Sequence, residues 1–392
     1  LTHSMSSSAG RLIAATAASA VSTIGVQFVA LFSLAPREFG LFSIVYLGGA
    51  LVLSFQLSAI NEAWTRSELA GTQSSWSDYS SISVYVAVFG GAAVGMLALA
   101  LPDLRPVSWL VFLAIAFTTY RASARFHGLR QLEWRHVLVG DVTGAAASLI
   151  AAVIILGWFR DDLYAVALAW AATSFASAVS SRLPRLHGVK SVPRWFRSHG
   201  ASIRPLLRDS LIMDAAAIGT PYLLAPVLGI AAFGVYRAVS NVAAPVRLLL
   251  NPLRPRLASV SRTALVGRRA TLLVAVAASI SGLVASFALI GIGWLGIDLG
   301  TLTALVDFAL PTGVFIAANM FGHAYYLIAR QHSGARVMRT GRAFQTCVSI
   351  LLPLTAALLG GLGPAIWAYA GATVCSALVW AALLHREQDK MS

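Results

Sequence analysis

Arg237, Ser240, Asn241, Ala244, Arg247, Asn251 and Arg254 follow one another in steps of three and four residues. On an α-helix that spacing lays a polar stripe along one face, with a small residue in its middle. Guanidinium groups grip diphosphate or carboxylate oxygens in a two-pronged geometry, so the stripe has the chemistry of an anion site. An Arg at the centre of a membrane helix costs about 2.5–3.5 kcal/mol, so such groups face a wet cavity, pair with acids or reach for the interface. Two further stripes would suit sugar hydroxyls: Thr16, Ser19, Thr23 and Gln27, and Thr312, Asn319, His323, Tyr326 and Arg330. Ser and Thr can instead bond their own helix carbonyls, and His323 can equally be a packing residue. Acids within apolar stretches are Glu62, Asp141, Asp214 and Asp307. Asp214 is the candidate for coupling to Na+ or H+, because Pro221 and Pro226 downstream can open the backbone beside it; pairing with an Arg is the alternative.

Conventional enzyme signatures are missing from the sequence. There is no CxxC, HExxH, GxxxxGK[ST] or GxSxG, and so no assigned catalytic residue, metal ligand or cofactor beyond a coupling ion. Cys347 and Cys375 both fall in apolar stretches and read as small packing residues.

The elements that must position these residues are membrane spans. Hydrophobic residues make up 58% of 392 and charged ones 11%, with mean hydropathy +0.76, too apolar for a soluble globule. Windows of about 20 apolar residues match a hydrocarbon layer about 30 Å thick. They do not alternate as β-barrel strands would, so the expectation is an all-α polytopic membrane protein. Twelve spans are predicted, at 12–34, 40–62, 81–101, 108–125, 137–159, 163–180, 209–228, 233–252, 270–294, 303–329, 344–360 and 364–384. The first is read as a retained helix rather than a signal peptide.

Positive charge sets the orientation. Of 29 Lys and Arg, the odd-numbered connections hold only Arg37, Arg105 and Arg160. The even-numbered connections hold Arg66, then Arg121, Arg125, Arg130 and Arg135, then a basic linker, and later Arg262 and Arg342 among others. Both termini are therefore expected in the cytoplasm. The net charge of +14 reads as topology plus attraction to anionic lipid, not nucleic-acid binding. The domains expected are a disordered tail (1–10), an N-lobe (11–180), a basic inter-lobe linker (181–208), a C-lobe (209–384) and a C-terminal tail (385–392). Trp195 and Phe196 among the linker's basic residues suit either a helix on the inner leaflet or a solvated tether.

The chain also echoes itself. A shift of 194 residues lays "GVQFVALFSLAPREFGLFSI" (25–44) on "GTPYLLAPVLGIAAFGVYRA" (219–238), matching Phe39-Gly40 with Phe233-Gly234 and Phe42 with Tyr236. Six spans separate the two copies, which predicts two six-helix lobes related by a parallel pseudo-two-fold repeat, with a substrate site between them. Pro36 ends the first span, and Glu38 suits the start of the next.

The stretch 34–66, "LAPREFGLFSIVYLGGALVLSFQLSAINEAWTR", resembles the first loop and second helix of the polysaccharide exporters and O-antigen flippases of the multidrug/oligosaccharidyl-lipid/polysaccharide (MOP) exporter superfamily. Its FG turn and the Arg66 that closes the stretch carry the likeness, and "FGVYRAVSNVAAPVRLLLNPLRPRLASVSR" (233–262) resembles the corresponding second-half segment. The resemblance implies outward flipping of polyprenyl-diphosphate-linked oligosaccharide by alternating access. It further implies a multi-pass monomer in a bacterial inner membrane, working beside membrane lipids and other polysaccharide-assembly proteins. An ion-coupled multidrug antiporter of the same superfamily would want acids in the cavity, where this chain places Arg. A membrane-embedded glycan polymerase or ligase would need a larger outward loop than any predicted here. The candidate cavity residues are Arg237, Ser240, Asn241, Arg247, Asn251, Gln27, Thr23, Asn319, His323 and Arg66.

Overall fold

Apolar runs this long leave the backbone no partner but itself, and in the computed structural model they are helices. The structure describes residues 2–69, 75–188, 191–250 and 260–389. The first unit contains α1 (Thr2–Ser33), α2 (Pro36–Gln56) from Leu41 onward, α3 (Ala63–Leu69), α4 (Trp76–Ala100), α5 (Ser108–Arg130), α6 (Trp134–Trp158), α7 (Leu163–Val179) and α8 (Ser191–Asp214). The second contains α9 (Thr220–Leu228), α10 (Ile230–Val242), α11 (Ala244–Leu250), α12 (Arg262–Val266), α13 (Arg268–Leu295), α14 (Ala309–His332), α15 (Ala335–Gly360) and α16 (Leu362–Asp389). π-turns at Leu57–Glu62 and Ala215–Gly219 join α2 to α3 and α8 to α9. Among the described residues ten helical stretches are long and apolar enough to cross a membrane, and Leu163–Val179 and Ile230–Val246 are shorter apolar helices. Together they occupy the twelve predicted positions.

Each unit repeats one packing order. In the first, α1 packs on α6, α4 on α5, α5 on α7 and α6 on α7. In the second, α9 packs on α15, α13 on α14, α14 on α16 and α15 on α16. These are the same pairs, six spans apart. The aromatic contacts repeat too: Phe42 meets Trp170 of α7 at 5.7 Å, and Tyr236 meets Tyr369 of α16 at 5.0 Å.

Four expectations change. Residues 2–10, expected as a disordered tail, are the first turns of α1: extending a helix already nucleated by its apolar stretch adds a hydrogen bond per residue. The basic linker is largely helical and belongs to the first unit, which ends at Asp214. Its helix α8 turns Trp195, His199, Ile203 and Leu206 inward and exposes Arg194, Arg197, Arg204 and Arg208. The eighth span is interrupted at Ala243, between α10 and α11, because Pro245 cannot donate to the Asn241 carbonyl. Cys347 and Cys375 are exposed on their helices rather than packed inside.

Residues Ala35–Gly40 cluster with the second unit, where they meet the start of α10. A Cβ on Gly234 would collide with the Pro36 carbonyl, and one on Gly40 with the Ile230 carbonyl. Pro36 and Ile230, like Gly40 and Gly234, stand 194 residues apart. The contact is therefore reciprocal, and it allows the close backbone approach that small residues permit between helices.

Candidate functional site

In the second unit, α10 carries the start of the predicted anion stripe. Phe233, Tyr236 and Val239 are buried, leaving Arg237 and Asn241 half-buried at a spacing of four. The Arg237 Nη2 donor lies 3.5 Å from Asn241 Oδ1, and its charge acts on the neighbouring phenols of Tyr222 and Tyr236. Ser240 is not presented to a ligand: it is buried and donates to the Arg237 carbonyl at 2.8 Å. The Arg247 side chain, Asn251 and Arg254 lie outside what the structure describes.

The α14 stripe closes on a cationic cluster at the helix's C-terminal end. The Tyr326 hydroxyl accepts from Arg342 Nη2 at 2.9 Å and from Arg330 Nη1 at 3.3 Å. Arg342 also stacks over the Tyr326 ring at 4.8 Å, a cation–π contact. Trp380 lies edge-on to the same ring at 5.5 Å and is tied by its indole N–H to Gln345 at 3.2 Å. His323 is 5.9 Å from Tyr326, ring to ring, one turn back along α14. Neither Arg330 nor Arg342 forms a salt bridge among the described residues, so two guanidiniums share one neutral oxygen. Such a pair has unused donors and uncompensated charge, the requirement for holding a phosphate or carboxylate. Arg342, which the sequence presents as a topological charge, belongs to this group. Its spacing of sixteen residues from Tyr326, across the α14–α15 turn, carries no helical periodicity that would mark it.

Farther along α14, Thr312 is fully buried, and neither its hydroxyl nor the Asn319 Oδ1 has a hydrogen-bond partner among the described residues. Asn319 sits one turn before His323 on the same helix.

The first unit distributes its predicted residues differently. Thr23 donates to the Ser19 carbonyl at 2.8 Å, Gln27 is half-buried, and Arg66 is exposed on α3. These three are not brought into one cluster. Asp214 takes its hydrogen bond from Ser54 rather than an arginine, immediately before the π-turn Ala215–Gly219. Arg121 and Arg125, expected in a basic connection, both lie inside α5. They donate to the buried Asp141 of α6, Arg125 through Nε at 2.9 Å. Arg262 is likewise buried, paired with Glu387 at 2.8 Å and donating to the Leu384 carbonyl at 2.6 Å. These are charges that the fold uses internally.

Around the π-turn after α2 the first unit builds a polar and aromatic lock. Within this turn the Ala59 carbonyl accepts from the Trp195 indole of α8 at 3.3 Å. Asn61 Oδ1 accepts from Tyr79 and Ser123, each at 2.7 Å, and Gln56 donates to Ser123 at 2.5 Å. Trp64, Tyr79 and His127 stack around it, and Trp195 lies on His199 at 3.8 Å.

With this geometry, the fold is that of the MOP-superfamily transporters. A multidrug resistance MATE family transporter of that superfamily, in an inward-facing conformation, superposes with a TM-score of 0.62 at 12% identity, covering 94% of each chain. The lipid II flippase MurJ, in an inward closed conformation, superposes at 0.58 and 11% identity, over 96% of this chain and 87% of that one. A point mutant of the Vibrio cholerae MATE transporter VcmN gives 0.53 at 12% identity, over 99% of this chain and 98% of that one. No protein-family model matches the sequence, and neither does any curated protein sequence.

Proposed function

We propose that this chain is a transporter that moves an anionic amphiphile, a polyprenyl-diphosphate-linked oligosaccharide or related polysaccharide precursor, from the inner to the outer leaflet by alternating access. The observation that carries the reading is the convergence of Arg330 and Arg342 on Tyr326, with no salt bridge to an acid among the described residues, and with His323, Asn319 and Arg237 on elements of the same unit. Two guanidiniums side by side fit a diphosphate better than they fit a cationic drug. Amide and hydroxyl groups along α14 then suit sugar hydroxyls. The fold shared with both MATE transporters and a lipid II flippase is consistent with either cargo, and the sign of the charge favours the anionic one. In this reading the protein works as a monomer in a bacterial inner membrane, both termini cytoplasmic, without catalysing a chemical step. Other polysaccharide-assembly proteins would supply and receive its cargo.

Asp214 favours an added coupling role. Its described partner is the neutral Ser54 rather than a guanidinium, which leaves it able to exchange H+ or Na+ beside a π-turn that can change pitch.

The test is leaflet exchange of a fluorescent polyprenyl-diphosphate oligosaccharide in vesicles containing the full chain. Arg330→Ala with Arg342→Ala is expected to slow exchange at least tenfold at equal protein abundance. Exchange at the wild-type rate would sink the proposed site. Failure of the wild-type protein to move that lipid, while it carries a cationic dye, would sink the proposed cargo.

A further inference from the structure

Within the first unit, α1, α2, α5 and α7 surround a cavity of about 50 Å³ whose wall includes Arg121, Thr118, Thr119, Ser174 and Ser177. The donors of these five residues can be followed one by one, and of the other hydroxyls in the wall Thr173 donates to the Trp170 carbonyl at 3.1 Å and Thr23 to the Ser19 carbonyl at 2.8 Å. Ser177 donates to the Gly140 carbonyl at 2.8 Å, so its proton is used. Thr118 and Ser174 share one bond at 2.7 Å, which leaves one of their two hydroxyl protons available. Thr119 is completely buried and its hydroxyl has no partner among the described residues. Arg121 is 7% exposed, and while its Nη2 bonds Asp141, its Nε has no partner among the described residues either. Buried donors of this kind are rarely left unmade, because each costs the full desolvation of the group.

Charge points the same way. Arg121 and Arg125 pair with a single carboxylate, Asp141, so the centre behind the cavity carries one uncompensated positive charge. A water molecule would satisfy the donors but not the charge. A cation is disfavoured by that charge, and the described residues contain no cluster of three or more His, Cys, Asp or Glu that could ligate a metal. One water needs about 10–15 Å³ of such volume, so the space takes one small anion and a few waters but no sugar or nucleotide.

We propose that this cavity is a binding site for a small monovalent inorganic anion of the halide class. Arg121 Nε and the hydroxyls of Thr119 and the Thr118–Ser174 pair are its donors. The site is internal to the first unit and does not depend on which cargo the protein moves.

Bromide is the probe, titrated into the purified full chain at constant ionic strength against gluconate, which is too large to enter. The melting temperature is expected to rise saturably with bromide, and crystals grown in bromide should carry an anomalous peak beside Arg121. Thr119→Val keeps the side chain's shape, removes one donor, and should weaken the bromide midpoint about tenfold, the scale of one hydrogen bond to a charged group. Thr118→Val combined with Ser174→Ala, which removes both hydroxyls of the pair and with them the one proton it can spare, is a second variant, should the first fold poorly, with the same expected direction. Equal melting in bromide and gluconate, midpoints unchanged in the valine variants, or no anomalous peak in the cavity at saturating bromide would each overturn the proposal.

Discussion

Asp141 accepts from two guanidiniums in the interior of α5 and α6, and the three side chains stand or fall together. Removing the carboxylate's charge leaves Arg121 and Arg125 facing one another with no counter-ion. Asp141→Asn should therefore destabilise the protein by about 3–5 kcal/mol, the usual cost of breaking a buried pair from one side. Arg125 has 21% of its side chain exposed and can turn toward solvent, so Arg125→Ala should cost distinctly less. Thermal melting of the two variants in detergent measures the difference, and equal losses would mean that the fold depends on Arg125 as heavily as on Asp141. Sequence reading separates these residues because basic side chains at the end of an apolar run look like a connection. Their partner is 16 or 20 positions away, and pairing across two helices leaves no local pattern. The residues of the α14 stripe, by contrast, are legible: Asn319, His323, Tyr326 and Arg330 share one helix and one period, and only Arg342 comes from the next helix.

Helices supply the next scale, where two close contacts lend themselves to substitution. At Gly234 an added Cβ meets the Pro36 backbone, which cannot swing aside as a side chain would. Gly234→Ala should thus lower stability by about 1–3 kcal/mol through overpacking. Gly371 lies in α16 with nothing within 4 Å of its added Cβ, so Gly371→Ala should raise stability by up to about 1 kcal/mol from helix propensity alone. Melting temperatures that move in opposite directions check the pair; a fall in both would deny Gly234 its special contact. The second contact is Trp195 on the π-turn. Trp195→Phe keeps an aromatic ring against His199 but loses the indole bond to Ala59, so about 1 kcal/mol should be lost. Amide exchange at residues 57–62 should quicken in this variant, and unchanged exchange would show that the indole does not hold the turn. The docking of α8 is in fact written in the sequence, since Trp195, His199, Ile203 and Leu206 recur at helical spacing. The surrounding Arg residues draw the reading toward a lipid surface instead. The break before Pro245 is equally readable, whereas the two π-turns contain no proline or other local signal of that kind.

For the whole molecule, the informative fact is that one packing order occurs twice, with the reciprocal Gly40 and Gly234 contact at equivalent positions. Apolar length alone makes the twelve helices legible, and the 194-residue echo makes the repeat legible, because each copy must meet the same steric demands. Charge gives an expectation for the side of the membrane on which each end lies, and that expectation can be tested directly. Cys347 and Cys375 are exposed and free, so replacing both with Ser should change stability by less than about 0.5 kcal/mol each and provide a cysteine-free background. A single cysteine at Gly334, in the turn between α14 and α15 near Arg330, Arg336, Arg339 and Arg342, should react with a membrane-impermeant maleimide only after the cells are opened. A cysteine at Gly361, where α15 turns into α16 with no basic residue within ten positions, should react in intact cells. Both labelling from the same side would break the assignment of α15 as a span. Labelling in the reverse sense would invert the orientation, placing the Arg330 and Arg342 cluster on the outer face, where it could receive an anionic lipid but not collect one from the cytoplasm.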